Sequence, residues 1–161
     1  MLIEIYEAYS FKDLDTFFSM FYKYVEELFN CPSSYYDNSN YFFSKKYKED
    51  FLSALDRDLS PLNLVFFKNE EKILGFSTYM ILNHLGGKAI ILEFCINKAF
   101  RRKNLGKTSL SLLLKKIKKE GGKTVELTYT NNENKNFWLK EGFSPSSIFY
   151  YDGRPILIKE I

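Results

Sequence analysis

Residues 89–108 read AIILEFCINKAFRRKNLGKT, and the change of pattern inside that stretch decides the fold. The first nine residues are too continuously apolar for a strand with one wet face, so they predict a strand buried on both sides. From Leu105 to Lys119 the period is helical. Leu110, Leu113, Leu114 and Ile117 fall on one stripe, Lys115, Lys116, Lys118 and Lys119 point outward, and Gly121-Gly122 ends the helix. A buried strand running straight into an amphipathic helix is a crossover unit, continued here by the strand TVELTYT at 124–130.

The junction between strand and helix carries the chemistry. Arg101, Arg102, Lys103 and Lys107 gather positive charge around a helix N-terminus, whose first amides have no intrahelical acceptor. Gly106 has no side chain to hold an anion away from those amides, and Asn104 is among the few non-glycine residues that tolerate positive φ. The pattern suits a phosphate or pyrophosphate cradle; the alternative is a solvated basic loop ahead of an ordinary helix.

Outward from this unit, residues 2–6 form a weak strand. Asp13 is a candidate cap for a helix to about Asn30, with Leu14, Phe17, Phe18, Phe21, Val25 and Leu28 inward. Residues 31–41 are polar and turn-rich, and a second helix covers about 44–56. LNLVFF (62–67) and ILGFSTYMIL (73–82) make a hairpin; 133–141 is a helix closed by Gly142; IFYYDGRPILIKEI (148–161) holds an Asp-Gly hairpin signal. The expected architecture is a mixed α/β sheet in one domain spanning 1–161.

The 161 residues are 45% hydrophobic and 18% aromatic, which excludes a disordered chain, and a net charge of +3 gives little reason to expect a nucleic-acid partner. Cys31 and Cys95 form no CxxC pair, and a single histidine, His84, leaves no multi-histidine metal site to expect. No apolar run is long enough for a membrane span, and Glu4 and Glu7 stand where a signal peptide carries basic residues, so a cytoplasmic protein is expected.

RRKNLG (101–106) resembles the R/Q-x-x-G-x-G/A signature of the GNAT acetyltransferases, with Asn104 in place of the first glycine and Lys98 in place of a frequent proline. Asn131 to Phe143 resembles a second block of that family, matching at Asn131, Asn134, Phe137, Gly142 and Phe143. The resemblance implies a mostly antiparallel sheet of six to seven strands with about four helices, splayed between 89–97 and 124–130. It implies acetyl-CoA as cosubstrate and an N-acetyltransferase acting on a small-molecule or peptide amine, which attacks the thioester directly. The coenzyme would lie on Arg101, Arg102, Lys103, Asn104, Leu105, Gly106, Lys107 and Thr108. Its pantetheine arm would run past the backbone of Phe94, Cys95 and Ile96, with Asn131, Asn134, Phe137 and Trp138 on the far side.

Catalytic candidates are fewer. Glu93 is a carboxylate inside an apolar strand, so it is either a ligand or base for the substrate ammonium or the partner of some cation. Trp138 stands where the family often has an acidic tyrosine, which leaves Tyr129, Tyr150 or Tyr151 as phenols, or no acid at all, since a coenzyme thiol can leave as thiolate. The same substitution motivates an alternative, a non-catalytic acyl-CoA-binding or sensing module. A P-loop nucleotide binder fits worse, because Arg101 occupies the first glycine of G-x-x-x-x-G-K-[ST]. Cys95 reads as a buried small hydrophobe. The aromatic segment from Phe17 to Phe42 suits core packing, an acceptor pocket or a homodimer surface.

Overall fold

The computed structural model describes residues 1–30 and 39–161; Cys31, Tyr35 and Tyr36 lie outside the described residues. In chain order the elements are β1 (Glu4–Glu7), α1 (Phe11–Phe29), the single turn α2 (Ser39–Phe42), α3 (Lys45–Leu55), β2 (Asn63–Asn69), β3 (Lys72–Leu82) and β4 (Lys88–Ile96). α4 (Leu105–Lys119), β5 (Thr124–Leu127), α5 (Asn132–Lys140), β6 (Ser144–Phe149) and β7 (Pro155–Glu160) follow. The sheet runs β1-β2-β3-β4-β5-β7-β6, antiparallel throughout except for the parallel β4–β5 pair. Among the described residues, no helix is long and apolar enough to cross a membrane.

Each face of the sheet buries its own core. Phe17, Phe21 and Val25 of α1 and Phe51 of α3 pack against Leu64, Phe66, Phe76 and Cys95. Leu110, Leu113 and Ile117 of α4 pack on the other face against Val65, Phe67, Ala89, Ile91 and Val125. The alternation in β2, with Leu64 and Phe66 to one core and Val65 and Phe67 to the other, is the two-residue period of a strand wet on neither face.

Two sequence expectations are corrected here. The cap of α1 is Ser10, not Asp13: the Ser10 hydroxyl accepts from the Asp13 amide at 3.1 Å while the Asp13 carboxylate accepts from the Ser10 amide at 3.0 Å, a reciprocal capping box. Ser10→Ala is expected to lower stability by about 1 kcal/mol in urea unfolding, with the fold retained. Lys116 does not face water; it bridges Glu7 of β1 and, at 2.6 Å, Glu120, tying α4 to the sheet edge. The last hairpin forms where the Asp-Gly signal expects it, with Asp152-Gly153 inside a turn over residues 150–154 that Tyr150 closes by donating its amide to the Arg154 carbonyl at 2.8 Å.

Two irregularities place the site. β4 and β5 pair only from Lys88–Thr124 to Ile90–Glu126, and β5 ends at Leu127, three residues short of the strand read from sequence. Beyond Ile90 the β5-facing edge of β4 has no strand beside it, while β3 stays paired on the other edge up to Gly75–Ile96. The second irregularity is a bulge. Thr78 opposes Glu93 and Tyr79 opposes Ile91, so Leu92 is an extra residue on β4. Ala89 and Ile91 face the α4 core, and the extra residue reverses the alternation, so that Cys95 joins the α1 core. Glu93, on the parity of Cys95, is thereby delivered to the α1 face.

Candidate active site

Two cavities meet along β4. The first, a groove of about 460 Å³, is lined by Phe94, Cys95 and Ile96 of β4, by Arg101, Arg102, Asn104, Gly106 and Lys107, and by Asn131, Asn134 and Phe137. These eleven residues were all expected at a cofactor from sequence. The second, about 710 Å³, lies toward α3 and the last hairpin and takes in Glu93, Tyr150 and Tyr151.

The groove floor is the start of α4. Asn104 sits in the left-handed region at φ 59 and makes no side-chain cap hydrogen bond, so the first-turn amides of α4 keep their capacity for an external acceptor. Arg102 also has positive φ, at 62, and two such residues around Lys103 curl the backbone under the helix end. At Gly106 a Cβ would meet nothing closer than Phe137 at 3.4 Å. Packing therefore does not demand glycine; what a side chain would remove is room in the groove beside the helix amides. The donors and the space fit a phosphate-bearing ligand.

Several expected residues play other parts. Arg101 lines the groove with its donors already engaged: its Nε donates to the Ile96 carbonyl at 2.7 Å, and its guanidinium makes a two-pronged ion pair with Glu27 of α1, the longer arm 3.2 Å. It ties the strand end, the loop and α1 together, and it occupies the Ile96 carbonyl. Leu105 is buried in the α4 core, Lys103 is exposed, and Thr108 turns its hydroxyl to the Asn104 carbonyl at 3.2 Å. None of these three side chains lines the groove. Trp138 is buried at 3% exposure, its indole N–H donating to Asn134 Oδ1 at 3.3 Å and its ring meeting Phe94, Phe137 and Phe143 edge-on. It packs behind the groove wall and does not touch the space within.

Asn131 caps α5, accepting from the Asn134 amide at 2.9 Å, and Asn134 Oδ1 accepts from the Thr130 amide at 3.2 Å. Both side-chain oxygens are committed, so what these residues offer the groove is the amide NH₂. Tyr24, Glu27 and Leu28 of α1 close the opposite side. None of the three is a site residue in the sequence reading; Leu28, expected in the core stripe of α1, lines the groove instead, one turn from Tyr24.

Glu93 lies at the meeting point. The Tyr24 hydroxyl donates to its carboxylate, and burial, outweighing that bond, pushes its pKa up to about 7. Among the described residues no cation pairs with it. Burial pushes the neighbouring Cys95 thiol up to about 12, despite the nearby Arg101 guanidinium, so the sulfur stays protonated and is no nucleophile. Tyr129 is buried at 4% exposure and lines neither cavity; its carbonyl receives the buried Arg154 guanidinium and Lys135 stands 5.3 Å over its ring. Of the phenols considered from sequence, Tyr150 and Tyr151 are the ones the fold brings to a cavity. His84 sits exposed in the 83–85 turn, away from both.

The sequence profile of the Acetyltransferase (GNAT) family matches residues 21–143, and the chain belongs to that family. A search of the curated proteins gives no match. Among solved structures, PaiA N-acetyltransferase from Thermoplasma acidophilum in complex with coenzyme A is similar over all of both chains, with TM-score 0.75 at 21% identity. A GNAT acetyltransferase from Elizabethkingia anophelis with acetyl-CoA bound aligns over 99% of this chain and 98% of its own, with TM-score 0.61 at 14% identity. The ribosomal-protein-S18-alanine N-acetyltransferase of Escherichia coli aligns over 99% and 94%, with TM-score 0.63 at 15% identity. At such identities the likeness establishes the shared fold.

Proposed function

We propose that the protein is an acetyl-CoA-dependent N-acetyltransferase that delivers the acetyl group to a primary amine, with residues 1–161 acting as one catalytic domain. The observation that carries this is the meeting of two cavities along β4. One begins at an open helix N-terminus suited to a pyrophosphate, and the other holds a half-buried carboxylate within one residue of the first. Two of the similar structures contain coenzyme A or acetyl-CoA.

The pyrophosphate rests on the first-turn amides of α4 beside Gly106, with Arg102 and Lys107 adding charge. The pantetheine arm follows the β5-facing edge of β4 past Phe94, where no strand competes for the backbone, and Asn131 and Asn134 offer amide donors from across. A β4 N–H polarises the thioester carbonyl. Glu93 holds the acceptor's ammonium and takes one proton from it; the amine nitrogen then bonds to the carbonyl carbon as the carbon–sulfur bond breaks. The nitrogen's second surplus proton passes to the departing sulfur or to solvent. A carboxylate with pKa near 7 is well matched to the first of these steps. The fall of the thiolate needs no strong acid, which accommodates a tryptophan at 138.

The pH dependence has a definite sign. The carboxyl of Glu93 lies above its unfolded value of 4.5, so its contribution to stability is complete below that pH and is lost as pH rises through about 7. At pH 9 the ionised, uncompensated carboxylate costs about 3 kcal/mol. Glu93→Gln should therefore gain on the wild type by up to that amount between pH 4 and 9 in urea unfolding. It should also lose most of kcat and the rise of rate through pH 7. An equal stability difference at both pH values would contradict the assignment. The reading as a whole is tested by thiol release from acetyl-CoA with pooled primary amines. Turnover above the hydrolysis blank supports transfer, and coenzyme binding without turnover against any amine identifies a non-catalytic binding module instead.

A further inference from the structure

The second cavity carries information about the acceptor, and the inference rests on the transferase reading above. Four carboxylates border it, which at first sight suits a polycation. Three of them are already neutralised. Asp50 is held by Lys46 at 2.6 Å and by the Tyr41 hydroxyl at 2.9 Å. Asp152 is held by Arg154 at 2.5 Å, and Glu126 by Lys88 at 3.3 Å. Only Glu93 meets the cavity with no cation paired to it among the described residues, and it does so at the end that adjoins the thioester edge of β4.

The rest of the wall is mainly aromatic and aliphatic, with Thr78 and Thr128 adding hydroxyls and Arg57, which donates to the Ser60 carbonyl at 2.9 Å, adding a positive charge that disfavours a polycation. On one side Tyr47 packs edge-on against Tyr41 and Phe42, each at 5.3 Å between ring centres. On the other, Tyr150 and Tyr151 of the last hairpin lie against each other at 4.6 Å. Leu92, lifted out of the strand by the bulge and 46% exposed, and Ile156 line the cavity as well. Such a space rewards burial of apolar surface at one end and a single positive charge at the other. A second ammonium would have to displace an existing ion pair or lie unpaired among rings and aliphatic side chains.

We infer that the acceptor is a monoamine with a large apolar, preferably aromatic, body, its ammonium on Glu93 and its body between the α2–α3 aromatics and the Tyr150–Tyr151 hairpin. The test compares kcat/KM for acetyl transfer to 3-phenylpropylamine, butylamine, spermidine and a lysine-containing peptide. The expected result is at least a ten-fold preference for 3-phenylpropylamine over each of the others. Leu92→Lys, or Ile156→Lys should the first variant fold poorly, should reduce that preference at least ten-fold while leaving the affinity for acetyl-CoA unchanged. Preference for spermidine, or for the peptide, overturns the apolar assignment while leaving acetyl transfer intact. Equal use of butylamine and 3-phenylpropylamine overturns it too, since the body would then contribute nothing. If no amine is acetylated, both readings fall.

Discussion

Gly106→Glu is expected to abolish acetyl-CoA binding while leaving the protein folded. A Cβ at this position meets only ordinary contacts, the nearest being Phe137 at 3.4 Å, and the residue lies within the first turn of α4 with unremarkable helical backbone. The fold therefore has no reason to reject a side chain there, and alanine should even help the helix slightly. The consequence falls on the ligand. A glutamate carboxylate brought within about 4 Å of a pyrophosphate costs roughly 4 kcal/mol at the effective dielectric of a partly wet site, a thousand-fold or so in affinity. Gly106→Ala, which adds bulk without charge, should show a smaller loss. Titration of both variants with acetyl-CoA, alongside a thermal melt, separates ligand loss from misfolding; wild-type affinity in the glutamate variant would mean the pyrophosphate lies elsewhere.

The second large effect is on the fold itself, at Gly75. This glycine in β3 lies so close to β4 that an added Cβ would stand 2.0 Å from the Cys95 carbonyl oxygen and 3.0 Å from Ile96 Cα. Those are backbone atoms and cannot swing aside, so Gly75→Ala must drive the two strands apart at the Gly75–Ile96 end of their ladder. A loss of about 3 kcal/mol or more is expected in urea unfolding. The displaced segment is also the one whose opposite edge lines the groove, so acetyl-CoA affinity should fall with stability. That double loss distinguishes Gly75 from Ser10, where removal of the helix cap should weaken the fold and spare the ligand. A Gly75→Ala protein as stable as the wild type would show that the β3–β4 register described above is wrong.

Much of this fold could be read from local pattern, and the reasons are specific. The helix from Leu105 to Lys119 was delimited by its apolar spacing and the Gly121-Gly122 stop, and positive φ at Asn104 followed from what asparagine tolerates; both are set by neighbours in sequence. The line of residues along the groove was equally legible, because a loop and the two elements flanking it bring their own side chains together. What stayed hidden depends on distant partners. Arg101 looked like a phosphate ligand because a loop sequence does not reveal that Glu27, on a helix 74 residues earlier, will claim its guanidinium. The bulge at Leu92 is a property of pairing with β3, and no residue in ILEFCI announces it, yet it aims Glu93. The strand pattern of TVELTYT puts Tyr129 at a strand end near the reaction; β5 stops earlier and Arg154, from the far hairpin, takes its carbonyl. Trp138 stands in sequence at a position of catalytic tyrosines, and the rings of Phe94, Phe137 and Phe143 make it part of the core.

The groove between the start of α4 and the free edge of β4 is the proposed seat of acetyl-CoA. A calorimetric titration of the wild-type protein with acetyl-CoA tests it most directly. Saturable one-to-one binding in the micromolar to millimolar range, competed by coenzyme A, is the predicted result; absence of saturable binding anywhere in that range would contradict it.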